Sequence, residues 1–238
     1  MFYWIVATFV AFFIKGLCGF ANTLVFTSIL GFVEANVSIS PVELMLGLPS
    51  NVILTYKNRK KLKPSVFVPL ALLVLAGSIP GAFLLINLNV QYLKIICGMA
   101  IVLIGIEMLY REYHKSQIKE SRIVLGIIGL ASGILCGLFG IGALLAAYVG
   151  RVTENTEEFK ANISAVFIVE NIFRVIVYSI IGVINYYSLT SALVLVPVML
   201  IALFLGIKSA QILDEKVIKK LVIILLIISG LILTVSNM

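Results

Sequence analysis

The sequence predicts an all-α integral membrane protein of about eight hydrophobic segments in two homologous repeats. Three observations carry that prediction: an apolar composition, apolar runs of membrane-spanning length, and a match between the two halves of the chain. Of 238 residues, 61% are hydrophobic and 12% charged, whereas soluble domains are nearer half apolar and a quarter charged. Mean hydropathy is +1.16. A bilayer core of about 30 Å takes roughly 20 apolar residues per helix, and the polar stretches between runs are too short to bury a core of their own. The first repeat occupies residues 1–110 and the second 123–238, with a cytoplasmic linker at 111–122.

The first apolar run covers residues 2–33 and is interrupted at Lys15-Gly16. It opens without a basic n-region or a small-residue cleavage site, so a removed signal peptide is not expected. The second, 41–56, ends in the basic stretch 57–63. The third and fourth cover 65–86 and 91–110. Beyond the linker the series begins again, with runs at 123–150, 160–183, 188–211 and 217–236.

The halves match in three registers. Gly16-Leu-Cys-Gly19-Phe-Ala-Asn22 falls on Gly137-Leu-Phe-Gly140-Ile-Gly142-Ala143 at an offset of 121. Leu48-Pro-Ser-Asn51 falls on Ile168-Val-Glu-Asn171 at 120, and Gly81 through Gly105 aligns without gaps to Gly206 through Gly230 at 125. Glycine spacing alone arises by chance in apolar sequence; three registers at nearly one offset indicate duplication.

Loop charge suggests that the repeats are inverted. In the first half the basic loop follows the second run, and in the second half it follows the third, where Lys208, Lys216, Lys219 and Lys220 lie. Parity then requires that one type of segment not cross an odd number of times. Residues 2–33 would make a helix of about 48 Å and 123–150 one of about 42 Å, too long for one span and short for two. A first helix broken or re-entrant at its glycine cluster fits both. Lys and Arg then divide about 15 to 1 between inside and outside, leaving aside Lys15 and Arg174, against about 9 to 7 for single crossings throughout.

A helix broken inside the bilayer must line a cavity or be covered by protein, because an unpaired backbone group in hydrocarbon costs several kcal/mol. Half-helix N-termini present free N–H groups and a positive dipole end, which suits an anion. The alternative is that GLCG and GLFGIG are close-packing faces of the small-xxx-small kind. Lys15, Gly16, Gly19 and Asn22 in one half, and Gly137, Gly140 and Gly142 in the other, are the candidate binding residues around the breaks. Asn51 and Asn171 join them because they recur at the repeat offset; Ser50 and Asn162 are further cavity-lining candidates. Arg174 lies mid-run, where an unpaired arginine costs about 2.5–3.5 kcal/mol on insertion scales. Glu170, one turn earlier, shares its helix face. Two readings stand: a neutralising internal ion pair, or a Glu170 that takes up a proton during transport and frees Arg174 to hold an anion. Glu34 and Glu43 are expected to be exposed, and Glu107 to reach the interface.

The duplicated glycine-rich first segment, the Asn-bearing second one and the amphipathic lead-in to the fourth resemble the TauE/SafE family of sulfite and organosulfonate exporters. The resemblance spans nearly the whole chain. It implies transport of small, often sulfur-containing anions across the bacterial cytoplasmic membrane by eight helices in two four-helix repeats. The family's glycine run is fuller, often GxGGG with proline soon after, and neither copy here has that proline; this bears on substrate more than on membership.

Other classes find little support. The net charge of +7 comes from loop lysines and arginines, as the positive-inside rule requires, so no nucleic acid is expected. Cys18, Cys97 and Cys136 form no CxxC pair, and His114 is the only histidine, so no metal and no cofactor is expected. No nucleophile triad, paired catalytic carboxylate or GxxxxGK[ST] phosphate loop is present, which argues against an enzyme or an ATP-driven pump. The expected partners are the lipid bilayer of the cell (inner) membrane and a small anion. The expected function is a secondary exporter that holds the anion near the midplane between the two glycine breaks; an anion channel or a membrane subunit of a partner complex is the alternative.

Overall fold

A computed structural model describes residues 1–30, 36–87 and 142–235, with single positions between 95 and 133. Among the described residues every regular element is helical. Helix α1 (Phe2–Cys18) ends at Gly19, whose φ of 91° is left-handed and whose N–H donates to Lys15 O at 2.6 Å. Ala21 is also left-handed, at φ 72°. Glycine enters that region freely; alanine there costs on the order of 1 kcal/mol or more. Two such residues reverse the chain, and α2 (Asn22–Leu30) folds back along α1, so that the Phe26 ring meets both Trp4 and Phe12 edge-on at 5.9 and 6.5 Å.

Helix α3 (Asn36–Lys57) runs through Pro41 and Pro49, followed by a 3₁₀ turn, Arg59–Lys61, and α4 (Pro64–Asn87). Proline at the first position of α4 sacrifices no helical hydrogen bond. The second half shows α5 (Ala143–Val152), α6 (Thr156–Ile180), α7 (Tyr186–Ile212) and α8 (Glu215–Val235). The ends of α6 are well determined. Asn155 Oδ1 accepts from Glu158 N at 2.9 Å, with Glu157 and Glu158 at the positive end of the dipole. At the other end Gly182, φ 73°, and Val183 donate to Ser179 O and Tyr178 O in a Schellman pattern. A reciprocal Asn185–Ser188 capping box then starts α7.

Helices α6 and α7 are long and apolar enough to cross a membrane. At 1.5 Å per residue they measure about 37 and 40 Å, against a hydrocarbon core of about 30 Å. Their outward faces carry Ile176, Ile180, Leu193, Ile201, Phe204 and Ile212, all exposed. A continuous apolar face of this kind suits lipid rather than water.

The two halves pack by exchanging partners. α1 lies on α7, with Gly16 and Gly206 face to face so that each backbone rests on the other. Gly133 meets Val74 and Gly77 of α4, and Ser78 Oγ donates to Gly133 O at 3.0 Å. α3 and α6, which hold matched residues of the two halves, run in opposite directions. Ser40 meets Arg174 and Tyr178, Gly47 faces Asn171, and Lys63 N, just past α3, donates to Asn162 Oδ1. Gly98 meets Gly230 and Thr234 while Gly105 meets Ile227, so these matched segments also pass antiparallel.

Candidate functional site

The break between α1 and α2 lies beside the α3–α6 crossing, and a small buried cavity forms between them. From the break come Lys15, Phe20, Ala21 and the first turn of α2 from Asn22 to Leu24. Glu43 and Asn51 come from α3, and Phe167, Glu170 and Asn171 from α6; the wall is completed by Gly142, the residue that opens α5. The start of α2 and the start of α5 thus meet at one place. A Cβ at Gly142 would overlap the Phe167 ring, so a larger residue there would displace that ring from the cavity wall. The cavity measures about 20 Å³, room for one water-sized group.

Lys15 is 1% exposed. Its Nζ sits 5.8 Å from the Phe12 ring centroid and has no ion-pair partner within 4 Å among the described residues. Glu43 Oε1 accepts from Asn22 Nδ2 at 2.5 Å and from Thr23 Oγ1 at 2.8 Å. A resident carboxylate therefore occupies the N-terminal end of α2, where the dipole favours negative charge. Gly47, one turn after Glu43, leaves clearance for its neighbours: a Cβ there would lie 3.3 Å from Asn171 Nδ2 and 3.5 Å from Glu43 Oε1. Asn51 Oδ1 is buried without a hydrogen-bond partner. Buried polar atoms are rarely left unsatisfied, and such an atom on a cavity wall suits a ligand or a water.

Arg174 stands behind the cavity rather than on its wall. Its Nε lies 3.7 Å from Glu170 Oε1, its Nη2 contacts Ser40 Oγ at 3.4 Å and Tyr178 OH at 3.5 Å, and the guanidinium covers the Tyr178 ring at 5.2 Å. All three partners are on α3 or α6, so this arginine ties the crossing together.

The structure brings Lys15, Asn22, Asn51, Gly142, Glu170 and Asn171 of the predicted site to one cavity. Gly16 and Gly19 lie beside it with separate tasks: Gly16 packs against α7, and Gly19 makes the turn. Gly137 and Gly140 lie outside the described residues, as do Glu34 and Glu107. Glu43, expected to be exposed, is 3% exposed and central; α3 begins at Asn36, so Glu43 sits two turns inside the helix rather than at its edge. The signal that marks it is the stripe Glu43, Gly47, Asn51, spaced four residues apart on one face. Ser50 and Asn162 do not reach the cavity. Ser50 Oγ bonds Gly47 O, and Asn162 bridges Lys63 N and Glu158 O.

A family model described as sulfite exporter TauE/SafE matches residues 4–233. No curated protein and no solved structure matches the chain.

Proposed function

The chain belongs to the sulfite exporter TauE/SafE family, a membrane transporter family, and from that premise we propose that it is a secondary exporter of small anions, sulfite or an organosulfonate, held at the Lys15 cavity. The observation that carries this reading is the meeting of two helix N-termini, α2 and α5, at a cavity lined by Asn22, Asn51, Asn171 and a buried lysine with no ion-pair partner within 4 Å among the described residues; Glu43 and Glu170 share the wall, and Glu43 holds the place at the start of α2 that an entering anion would take. Free N–H groups, amide donors and an ammonium together hold an oxyanion. The cavity's size supports a carrier rather than a channel. At about 20 Å³ it admits a water-sized group, so an anion enters only when the starts of α2 and α5 move apart.

In this reading the chain crosses the cell (inner) membrane several times as two inverted repeats, 1–110 and 123–238, around the 111–122 linker, each with a re-entrant first segment. Matched segments packing antiparallel, α3 on α6 and Gly98 on Gly230, support an axis perpendicular to the helices. Lys57 and Lys61 also share a cavity with Leu213 and Ile218, so the two basic loops lie on one side. Cysteines at Lys61 and Lys216 should label from the same face of sealed vesicles; labelling from opposite faces removes the inversion. For the site, Lys15→Met should lower sulfite flux in proteoliposomes at least tenfold while leaving a monodisperse protein. Full flux in that variant defeats the assignment.

A further inference from the structure

We propose that the chain carries a second anion site, a basic vestibule floored by Lys160 that receives a single sulfonate-sized oxyanion before it reaches the Lys15 cavity. This rests on the transport reading above but concerns different residues. At the shared end of α3, α6, α7 and α8 lies a cavity of about 470 Å³, within the range of small-molecule sites. Its wall includes Lys57, Lys61, Lys160, Asn155 and Gln211, with Glu157 the acidic residue among those lining it. Three cations face one carboxylate, which concentrates anions from solution.

Lys57 and Lys61 are exposed, whereas Lys160 is 6% exposed at the floor. Its Nζ donates to Gly16 O at 3.0 Å, and no carboxylate lies within 4 Å of it among the described residues. An ammonium carries three donors, so two remain for a ligand, and a buried cation whose hydrogen-bond acceptor is a neutral carbonyl gains from a counter-charge brought close to it. Its stem packs on Gly19, where a Cβ would lie 2.7 Å from Lys160 Cγ. Lys160 therefore leans on both glycines of the α1 break. Lys15, next in sequence to Gly16, faces the midplane cavity on the other side. Adjacent residues of α1 therefore touch both compartments, Gly16 through Lys160 and Lys15 directly. An anion bound in the vestibule competes with Gly16 O for the ammonium, and release of that carbonyl frees the α1 end to move.

The test uses full-length protein in nanodiscs of zwitterionic lipid, carrying Gln211→Cys on the vestibule wall. The rate of maleimide labelling is measured above that of the parent protein, with millimolar ethanesulfonate against gluconate at equal ionic strength. Ethanesulfonate should slow labelling about threefold or more. The slowing should persist in Lys160→Arg and in Lys15→Met, and vanish in Lys160→Gln. If Lys160→Gln does not fold, the Lys57→Gln/Lys61→Gln pair on the exposed rim should weaken protection instead. No protection in the unaltered background overturns the proposal, as does undiminished protection in Lys160→Gln or, where that variant does not fold, in the rim pair. Protection abolished by Lys15→Met also overturns it, because the ligand would then act from the midplane. Flux through Lys15→Met judges the midplane site separately.

Discussion

The contact between Gly16 and Gly206 makes a demanding test of how the site is held. A methyl added at Gly16 would fall 2.9 Å from Ile207 N and 3.1 Å from Gly206 C, and would overlap Leu203 O. Added at Gly206, it would lie 3.0 Å from both Leu17 N and Phe13 C and overlap Phe13 O. These are backbone atoms of packed helices, so no side chain can swing aside. α1 and α7 must part by about 1 Å, and overpacking of this kind costs about 1–3 kcal/mol. For a chain of this length that corresponds to a loss of about 2–12 °C in Tm. Lys15 precedes Gly16, so its ammonium moves as well, and sulfite flux should fall at least tenfold in either variant. Both methyls relieve the same contact, so the double variant should cost clearly less than the sum of the singles. Gly182→Ala is the control. Its Cβ meets nothing within 4 Å, but its φ of 73° leaves backbone strain of about 1 kcal/mol, with flux unchanged. Thermal unfolding followed by size exclusion, with sulfite counterflow in proteoliposomes, reads both effects. Gly16→Ala and Gly206→Ala proteins with native Tm and flux would refute the close crossing.

Three further outcomes separate site from scaffold. Glu43→Gln removes the carboxylate that occupies the start of α2 and should tighten sulfite binding about tenfold or more, since like charges near an anion site oppose it; equilibrium binding measures this, and weaker binding would sink the resident-anion reading. Glu170→Leu strands Arg174 and should cost about 3–5 kcal/mol, whereas Glu170→Leu with Arg174→Leu should cost less than that single change; the order of their unfolding temperatures decides. Asn162→Leu breaks the bridge between Lys63 N and Glu158 O and should cost about 1–3 kcal/mol while leaving substrate preference among sulfite and sulfonates unaltered in competition assays.

Helix positions were legible because burial in lipid needs apolar runs, and their ends were not, because helix ends are polar. The run at 160–183 marks α6, yet the helix begins at Thr156. Its first turn, Thr-Glu-Glu, is polar because it meets a cap and a dipole rather than lipid. The same displacement hid Glu43: placed two residues into an apolar run that starts at 41, it looks like an edge residue, but α3 begins at Asn36. Glycines show a second limit. Gly16 and Gly19 are equivalent in a spacing pattern, yet one packs against a helix and the other turns the chain. Only the backbone dihedral and the neighbour across the interface tell these apart.

Arg174 and Lys15 sharpen the point about charge. Both are buried cations in apolar runs, and insertion cost alone ranks them as equal candidates. What separates them is their company. Arg174 has Glu170, Ser40 and Tyr178 around it, while Lys15 has the Phe12 ring and a cavity whose carboxylates, Glu43 and Glu170, make no ion pair with it within 4 Å. Such company is assembled from elements far apart in sequence: α2 and α3 from one half, α5 and α6 from the other. No local motif carries that information, but the self-match between the two halves of the sequence points to part of it. Asn51 and Asn171 were singled out because they match at an offset of 120, and both stand on the cavity wall. Residues that pair in the self-match and also share a cavity wall, as these two do, are therefore those to test first.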